Sequence, residues 1–407
     1  MLLLGFVVSQ VSFSMETIAL GLTLLTIAIW IGLLAFRGQF WRSDQQLSPE
    51  IPELAVWPTI HAIVPARNEA EVLPATLPSL LQQDYPGCFQ VVLVDDQSTD
   101  GTTIVAQQLA EQIQLQNRLT LGVTEPLPVG WSGKLWAVEQ GIRLSRGLSP
   151  EPDYWLLTDA DIQHDRHNLR QLVAKAEQSS LDLVSLMVQL RCESFWEQWL
   201  IPAFVFFFEK LYPFAWVNNP HRATAAAAGG CILIRRTALA RIGGIPTLRQ
   251  ALIDDCALAQ AVKSTGGKLW LGLSSTTRSL RPYPNLISIW EMVARTAFTQ
   301  LHYSPWLLLG TVLAMTLIYL VAPVGTIVGL LTQQWLLALS ATIGWLLMAL
   351  AYWPTVSLYR LNPLFSLGLP MIAGLYTLMT VDSALRHWRG QGGAWKGRVY
   401  GASMKEE

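Results

Sequence analysis

Two aspartates one residue apart, Asp159 and Asp161, close the apolar run that begins at Tyr154. Carboxylates so spaced just past a strand can reach one hard cation. Magnesium or manganese takes oxygen ligands and keeps waters and substrate phosphates in its shell. A lone D-x-D is also a common solvated turn, so its meaning depends on what surrounds it. "DDQSTDGT", Asp95 to Thr102, suits a turn and helix N-cap through Ser98, Thr99 and Asp100. A carboxylate at that strand tip could equally accept hydrogen bonds from a nucleobase or ribose. In "GWSGKLWAVEQGI", Lys134 opens a helix, where a cation and free N–H groups favour phosphate; the alternative is a surface lysine. Gly229-Gly230 permits close backbone approach. Asp254-Asp255 starts a helix, where the dipole alone would also stabilise the pair. His164 and His167 follow the D-x-D; surface positions are expected, with reach to a metal as the alternative.

The elements that must position these groups alternate. A strand from Ile60 to Val64 turns at Pro65 into a helix near Glu69. A strand from Val91 to Val94 leads through the acidic turn to a helix from Thr102, and a third strand ends at the D-x-D. Strands alternating with helices indicate a parallel sheet with covered faces, and ligands bind beyond the carboxyl ends of such strands. Asp95, Asp96, Asp159 and Asp161 all fall at such ends.

Only 14% of the 407 residues are charged while 51% are hydrophobic, against about 25% charged in a soluble domain. Part of the chain is therefore expected in lipid. Thr17 to Phe36 carries no charge and would be about 30 Å long as a helix, enough to cross a bilayer. With no basic residue before it and no small-residue cleavage site after it, it reads as an uncleaved anchor. Thr296 to Tyr359 lacks Asp, Glu, Lys and Arg and suits two helices joined near Gln333; Leu361 to Val381 is a third candidate. This predicts an anchor (1–40), a linker (41–56), a globular domain (57–303), membrane helices (304–385) and a basic tail (386–407). Net charge of −1 gives no case for nucleic acid. The four cysteines form no CxxC pair and read as reduced and structural.

"VPARNE", "VVLVDDQSTDGT", "GKLWAVEQGI", "TDADI", "GGCILIRR" and "IDDCALAQAVK", in this order, resemble family 2 glycosyltransferases of the α/β GT-A fold, a Rossmann-like mixed and mainly parallel sheet. "RTAFTQLHYSP" and "WKGRVY" extend the likeness to the hopene-associated glycosyltransferases. The resemblance implies that Asp95 and Asp96 contact the nucleotide base. It places Pro65, Glu69, Lys134 and Gly230 beside the nucleotide sugar. It also gives Asp159 and Asp161 the metal on the donor diphosphate, and Asp255 the role of catalytic base. Asp254 replaces the family's more usual Glu. "TQLHY", Thr299 to Tyr303, departs from the Q-x-x-R-W of processive members, which favours transfer of one sugar.

The expected activity is therefore inverting transfer from a nucleotide-diphosphate sugar, uridine diphosphate being the family's commonest carrier, with Mg2+ or Mn2+. The expected acceptor is a lipid: a hopanoid or related terpenoid, or alternatively a carotenoid, a sphingolipid-like lipid or a polyprenyl phosphate. A polysaccharide synthase and a non-catalytic membrane scaffold are further alternatives. The aromatic stretch Leu200 to Val217, broken by Glu209, Lys210 and Pro213, is expected to lie at the bilayer interface, with a buried core helix as the alternative. Nucleotide sugars place the middle domain on the cytoplasmic face of a bacterial inner membrane, as Arg37 and Arg42 agree. Three spans after Ser304 would then put the tail, with Arg386, Arg389, Lys396 and Arg398, outside, against that rule. Either one C-terminal segment is re-entrant or interfacial, or the rule does not hold here.

Overall fold

The computed structural model describes residues 2–390 and two short strands at 394–395 and 398–399, with side chains described over 15–390. Lys396 lies outside the described residues. The chain opens with helix α1 (Leu2–Phe36). Strand β1 (Ile60–Ala66), helix α2 (Leu73–Leu81), β2 (Phe89–Asp95), α3 (Thr102–Gln112) and β3 (Leu119–Val123) form the first half of the middle domain. Helix α4 (Gly133–Arg146), β4 (Tyr154–Thr158), β5 (Ile162–Gln163), α5 (Asn168–Gln178) and β6 (Leu183–Gln189) follow. After α6 (Phe195–Leu211) and α7 (Phe214–Val217) come β7 (Cys231–Arg235), α8 (Arg236–Arg241), α9 (Asp254–Ser264) and β8 (Leu269–Ser279).

The strands form one eight-stranded sheet of order β3-β2-β1-β4-β7-β6-β8-β5. β3, β2, β1 and β4 are parallel neighbours, whereas β7 runs antiparallel to both β4 and β6. The mixed, mainly parallel sheet expected from the alternation is present. β1 differs in its end: it continues through Pro65 to Ala66. Pairing with β4 stops at Ile63, so the missing Pro65 N–H breaks no ladder bond there. The following helix starts at Leu73, after a turn in which Glu69 O accepts from Val72 and Leu73.

Alternating residues of the strands feed two cores, as the two-residue side-chain period requires. Ile60, Ala62 and Val64 of β1 pack toward α2, α3 and α5. Ile63 joins Leu135 of α4 and Leu258 of α9 on the other face. That second core does not end with the middle domain: it continues through Phe206 of α6 to Trp30, Tyr352 and Tyr376 in the long apolar helices. The segment expected as a linker lies along the sheet, where Gln46 bridges Leu273 and Gln45 O accepts from Leu273 N at 2.7 Å.

The C-terminal part comprises α10 (Leu286–Ala294), α11 (Ala297–Gln300), and α12 (Pro305–Met315), which passes through a π-helical turn at Thr316–Leu320 into α13 (Val321–Leu331). α14 (Trp335–Leu358) returns, joined at 332–334 as expected. A 3-10 segment (Pro363–Gly368) and α15 (Leu369–Trp388) complete it. Among the described residues, five helices are long and apolar enough to cross a membrane: Met15–Phe36, Phe195–Val217, Pro305–Leu331, Trp335–Leu358 and Pro363–Trp388. Two of them begin and end against the middle domain. α6 leaves β6 and is followed by Asn218, whose amide returns to Leu271 O of β8 at 3.0 Å. The last segment leaves Leu358, whose carbonyl accepts from Gln189. It descends beside α14 until Leu367 O meets Trp345 Nε1 at 3.0 Å, half-way along that helix. α15 then climbs back, so that Ser383 Oγ accepts from Phe298 N at 3.0 Å and His387 stacks on Tyr303 at 4.3 Å. Both partners sit just before α12 begins. The end of α15 therefore lies on the side where α12 starts, as a re-entrant segment requires.

Candidate active site

The carboxyl ends of β2, β1 and β4 lie side by side, because β1 pairs in parallel with both neighbours. β7 runs the other way, and its first residue, Cys231, pairs with Thr158 at the end of β4. Gly229-Gly230 therefore arrives where the D-x-D begins. The first turn of α9 reaches the same point: Gly229 N donates to Asp255 Oδ2 at 2.8 Å, and Cys256 N donates to Asp255 Oδ1 at 2.7 Å. α4, capped by Ser132 accepting from Leu135 N, aims Lys134 into this junction. Its Nζ stands 2.9 Å from Asp159 Oδ1 and 3.4 Å from Asp254 Oδ2. Pro65, Lys134, Asp159, Gly229, Asp254 and Asp255 line one cleft.

A Cβ on Gly229 would lie 3.2 Å from Lys134 Nζ and 3.3 Å from Asp255 Oδ2, so any larger residue would crowd both groups. At Gly230, expected beside the nucleotide, a Cβ would lie 3.1 Å from Val188 and 3.2 Å from Ile162, and the carbonyl accepts from Thr158 Oγ1 at 2.8 Å. Burial pushes the Asp255 carboxyl up to about 6; Asp254 adds to the rise, while Lys134 and the two backbone N–H groups oppose it. Burial disfavours the Lys134 charge, yet Asp159 and Asp254 overcome that and hold the ammonium above its usual value.

Beside this cleft, Asp161 and Glu69 are held by a residue the motifs did not mark. Arg281, just past β8, reaches Asp161 Oδ2 at 3.4 Å and Glu69 Oε1 at 3.3 Å. Ser279 Oγ donates to the same Asp161 oxygen at 2.6 Å. Burial works against ionisation of Asp161, but Arg281 and Ser279 hold its carboxyl below the usual value. No local pattern reveals Arg281, because its pairing with Asp161 spans 120 positions. Asp96 is buried, with Thr124 Oγ1 at 3.2 Å and Arg67 Nη1 at 3.4 Å. Asp95 is engaged by the turn: Ser98 N and Oγ donate to one oxygen, and Thr103 Oγ1 to the other at 2.6 Å.

His164 is not at the surface as expected: it is 5% exposed and bonded to Thr158 Oγ1 and Asn168 Nδ2, both at 3.0 Å. Burial lowers it to about 4, so it supports the end of β4 as a neutral ring. His167 is exposed and faces Asp84 at 3.1 Å.

The residues of the cleft fit a divalent cation by their chemistry. Asp159 and Asp161 supply hard oxygens, and the carboxylates of the cleft, with Glu69, Asp254 and Asp255, outnumber Lys134 and Arg281. Among the described residues no three His, Cys, Asp or Glu side chains form a ready cage. One or two carboxylates completed by substrate phosphates and water is the mode magnesium commonly takes.

Residues 61–243 match the family described as glycosyl transferase family 2. That segment, under half of the chain, is similar to family 2 glycosyltransferase domains. It spans β1 through α8, and so contains the D-x-D and the glycine loop but not Asp255 or Arg281. The domain's relatives by sequence include undecaprenyl-phosphate 4-deoxy-4-formamido-L-arabinose transferases. The one from Pseudomonas savastanoi pv. phaseolicola is 30% identical over 146 residues, 34% of this chain and 39% of its own length. That from Pseudomonas paraeruginosa is 30% identical over 146 residues, 34% of this chain and 38% of its own length. The chain thus spans well under half of those relatives. These names point to polyprenyl-phosphate sugar transferases and support the family, rather than the hopene-associated subfamily expected from the motifs. Among solved structures, a mannosyltransferase from Pyrobaculum calidifontis in complex with GDP-Man and Mn2+ aligns with TM-score 0.53 and 19% identity, covering 91% of this chain and 99% of its own. That likeness shows the GT-A fold, and the alignment extends into the long apolar helices.

Proposed function

We propose that this chain is a membrane-embedded glycosyltransferase that moves one sugar from a nucleotide-diphosphate donor to a lipid, with inversion. The observation that carries this reading is the meeting of Lys134, Asp159 and Asp255 in one cleft. Tyr212, just after α6, accepts from Gln300 Nε2 of α11 at 2.5 Å, and the lipid acceptor is taken to approach Asp255 from this side.

The residues divide the work. Glu69 and Asp96, beside β1 and β2, border the nucleotide half of the cleft. Lys134 presents a fixed ammonium where charge develops on the departing diphosphate, the electrostatic stabilisation such sites rely on. Asp255, held by two N–H groups and raised toward neutrality, is placed to take the acceptor's proton; general-base help contributes about 10²–10⁴-fold. Asp159 and Asp161 would hold the magnesium or manganese ion, which when bound supplies Lewis-acid neutralisation of the diphosphate.

The relatives' names favour a polyprenyl phosphate as acceptor. One observation favours a hydroxyl-bearing lipid such as a hopanoid as the second reading. A base poised near pH 6 serves an alcohol, whereas a phosphate is largely dianionic above its second pKa of about 6. The membrane reading places α1, α12–α13 and α14 across the bilayer, each long enough for a hydrocarbon core of about 30 Å. Their outward faces expose Leu22, Ile31, Leu313, Ile327 and Leu339, as lipid contact requires. α6 and the re-entrant α15 stay on the side of the catalytic domain. The domain then faces the cytoplasm, and Arg37, Arg42, Arg386 and Arg389 share one side, in keeping with the positive-inside rule.

The test is reconstitution of the purified protein in vesicles with labelled UDP- and GDP-sugars and either undecaprenyl phosphate or a hopanoid alcohol. Sugar appearing in one lipid, and its loss in Asp159→Ala, is the expected result. Failure of every donor to be consumed while the protein remains folded overturns the reading.

A further inference from the structure

The two carboxylates expected to share a metal ion are each held by a different organic cation. Asp159 pairs with Lys134 at 2.9 Å, and Asp161 pairs with Arg281 at 3.4 Å. Each cation also grips a second acid, Asp254 at 3.4 Å for Lys134 and Glu69 at 3.3 Å for Arg281. The four acids and two cations therefore neutralise one another in part before any ligand arrives.

The backbone around Arg281 is fixed on both sides. β5 pairs with β8 through Ile162 and Ser279, and Leu280 N donates to Asp161 O at 2.9 Å. Two residues later, Tyr283 N donates to Glu197 Oε1 at 2.7 Å. Glu197 is 1% exposed and also accepts from Glu193 N and Ser194 N at the start of α6. Asp161 and the stem of Arg281 thus cannot separate by loop movement. Only the guanidinium, whose side chain is 38% exposed, is free to change partner.

We propose that Lys134 and Arg281 are cationic placeholders for the donor complex, and that Arg281 is a positioning residue for the diphosphate. An ion entering alone must break both pairs and leave two cations without their acids. An ion entering with a diphosphate supplies phosphate oxygens to Lys134 and Arg281 as it takes Asp159 and Asp161. Metal and nucleotide binding are then coupled, and linkage makes the coupling reciprocal. Arg suits this exchange because its planar fork matches carboxylate and phosphate alike. The inference rests on the proposed glycosyltransferase reading and assigns to Arg281 a role that reading does not require.

The experiment measures Mn2+ binding by electron paramagnetic resonance, with the full-length protein in detergent, for Mn2+ alone and for Mn2+ with UDP or GDP. Wild type is expected to bind Mn2+ alone weakly, and about 5–150-fold more tightly with the matching nucleotide, the usual range of such couplings. Arg281→Gln should bind Mn2+ alone at least about tenfold more tightly than wild type and lose most of the nucleotide effect, as expected when the competing partner is removed. Arg281→Lys should restore much of the wild-type pattern, which a merely structural role would not produce. Lys134→Met makes the same test at Asp159, so the proposal stands exposed even if Arg281→Gln fails to fold. Variants that fold and bind Mn2+ alone no better than wild type overturn the placeholder role while leaving the transferase reading intact. Wild type that binds no Mn2+ with either nucleotide overturns the metal part of the transferase reading as well.

Discussion

Gly229 donates its backbone N–H to the carboxylate of Asp255 at 2.8 Å, while the same glycine leaves only 3.2 Å between a would-be Cβ and Lys134 Nζ. One residue thus fixes the base and spaces the cation. Gly229→Ala is expected to fold normally, since its φ lies outside the left-handed region and a methyl there meets side-chain ends. Transfer should nevertheless fall by at least about tenfold, because misplacing a group by an ångström can cost about 10²-fold. Thermal melts and single-turnover rates, measured together, check this: a lowered melting temperature with an unchanged rate would contradict it.

Asp255 gives the pH dependence its sign. A base must be deprotonated to act, so kcat/KM should rise with pH through about 6 and level off above it. Asp255→Asn should remove that limb and lower the rate by about 10²–10⁴-fold with an alcohol acceptor. With a phosphate acceptor the deficit should shrink above pH ~6, where the phosphate has already lost its second proton. Rate profiles of wild type and variant between pH 5 and pH 8 distinguish the two acceptors.

Glu197 closes the first turn of α6 in a capping box with Ser194 and accepts from Tyr283 N across the domain. Glu197→Ala takes the acceptor from the N–H groups of Glu193, Ser194 and Tyr283, whose bonds to it are partly buried. Each lost hydrogen bond costs about 0.5–1.5 kcal/mol, so the variant should melt at a lower temperature in detergent. Glu197→Gln retains an acceptor oxygen and should lose less.

The return of α15 to the domain side predicts a topology. Cysteines introduced at Gln333 and at Arg389 of a variant lacking the native thiols should label from opposite sides of sealed inverted vesicles. Arg389 should share the accessibility of the middle domain. Labelling of both from one side would remove the re-entrant segment and restore a full final span.

The long apolar helices were legible because a bilayer demands long uncharged runs, and helices of that length occupy Met15–Phe36 and both sides of Gln333. Leu361 to Val381 meets the same criterion, but length and apolarity do not record where the chain returns. Trp345, Ser383 and His387 decide that. The aromatic stretch from Leu200 shows the same limit. Its composition suits an interface, a core or a span, and packing of Phe206 on Tyr352 and of Phe207 on Tyr376 is what ties it to the helices below the domain.

The sequence by itself determined the acids at the strand ends, the cation opening α4 and the acidic pair opening α9, since these depend on local periodicity and on the caps that start helices. Only the tertiary structure decided which acid meets which cation. Asp161 finds Arg281 because β5 closes on β8 at the far edge of the sheet, and Gly229 finds Asp255 because β7 runs against its neighbours. His164 turned inward for the same kind of reason: Thr158 and Asn168 offer its two nitrogens partners that water would otherwise provide. Strand order and direction are set by how the whole sheet buries its two faces, and no short window of residues carries that information.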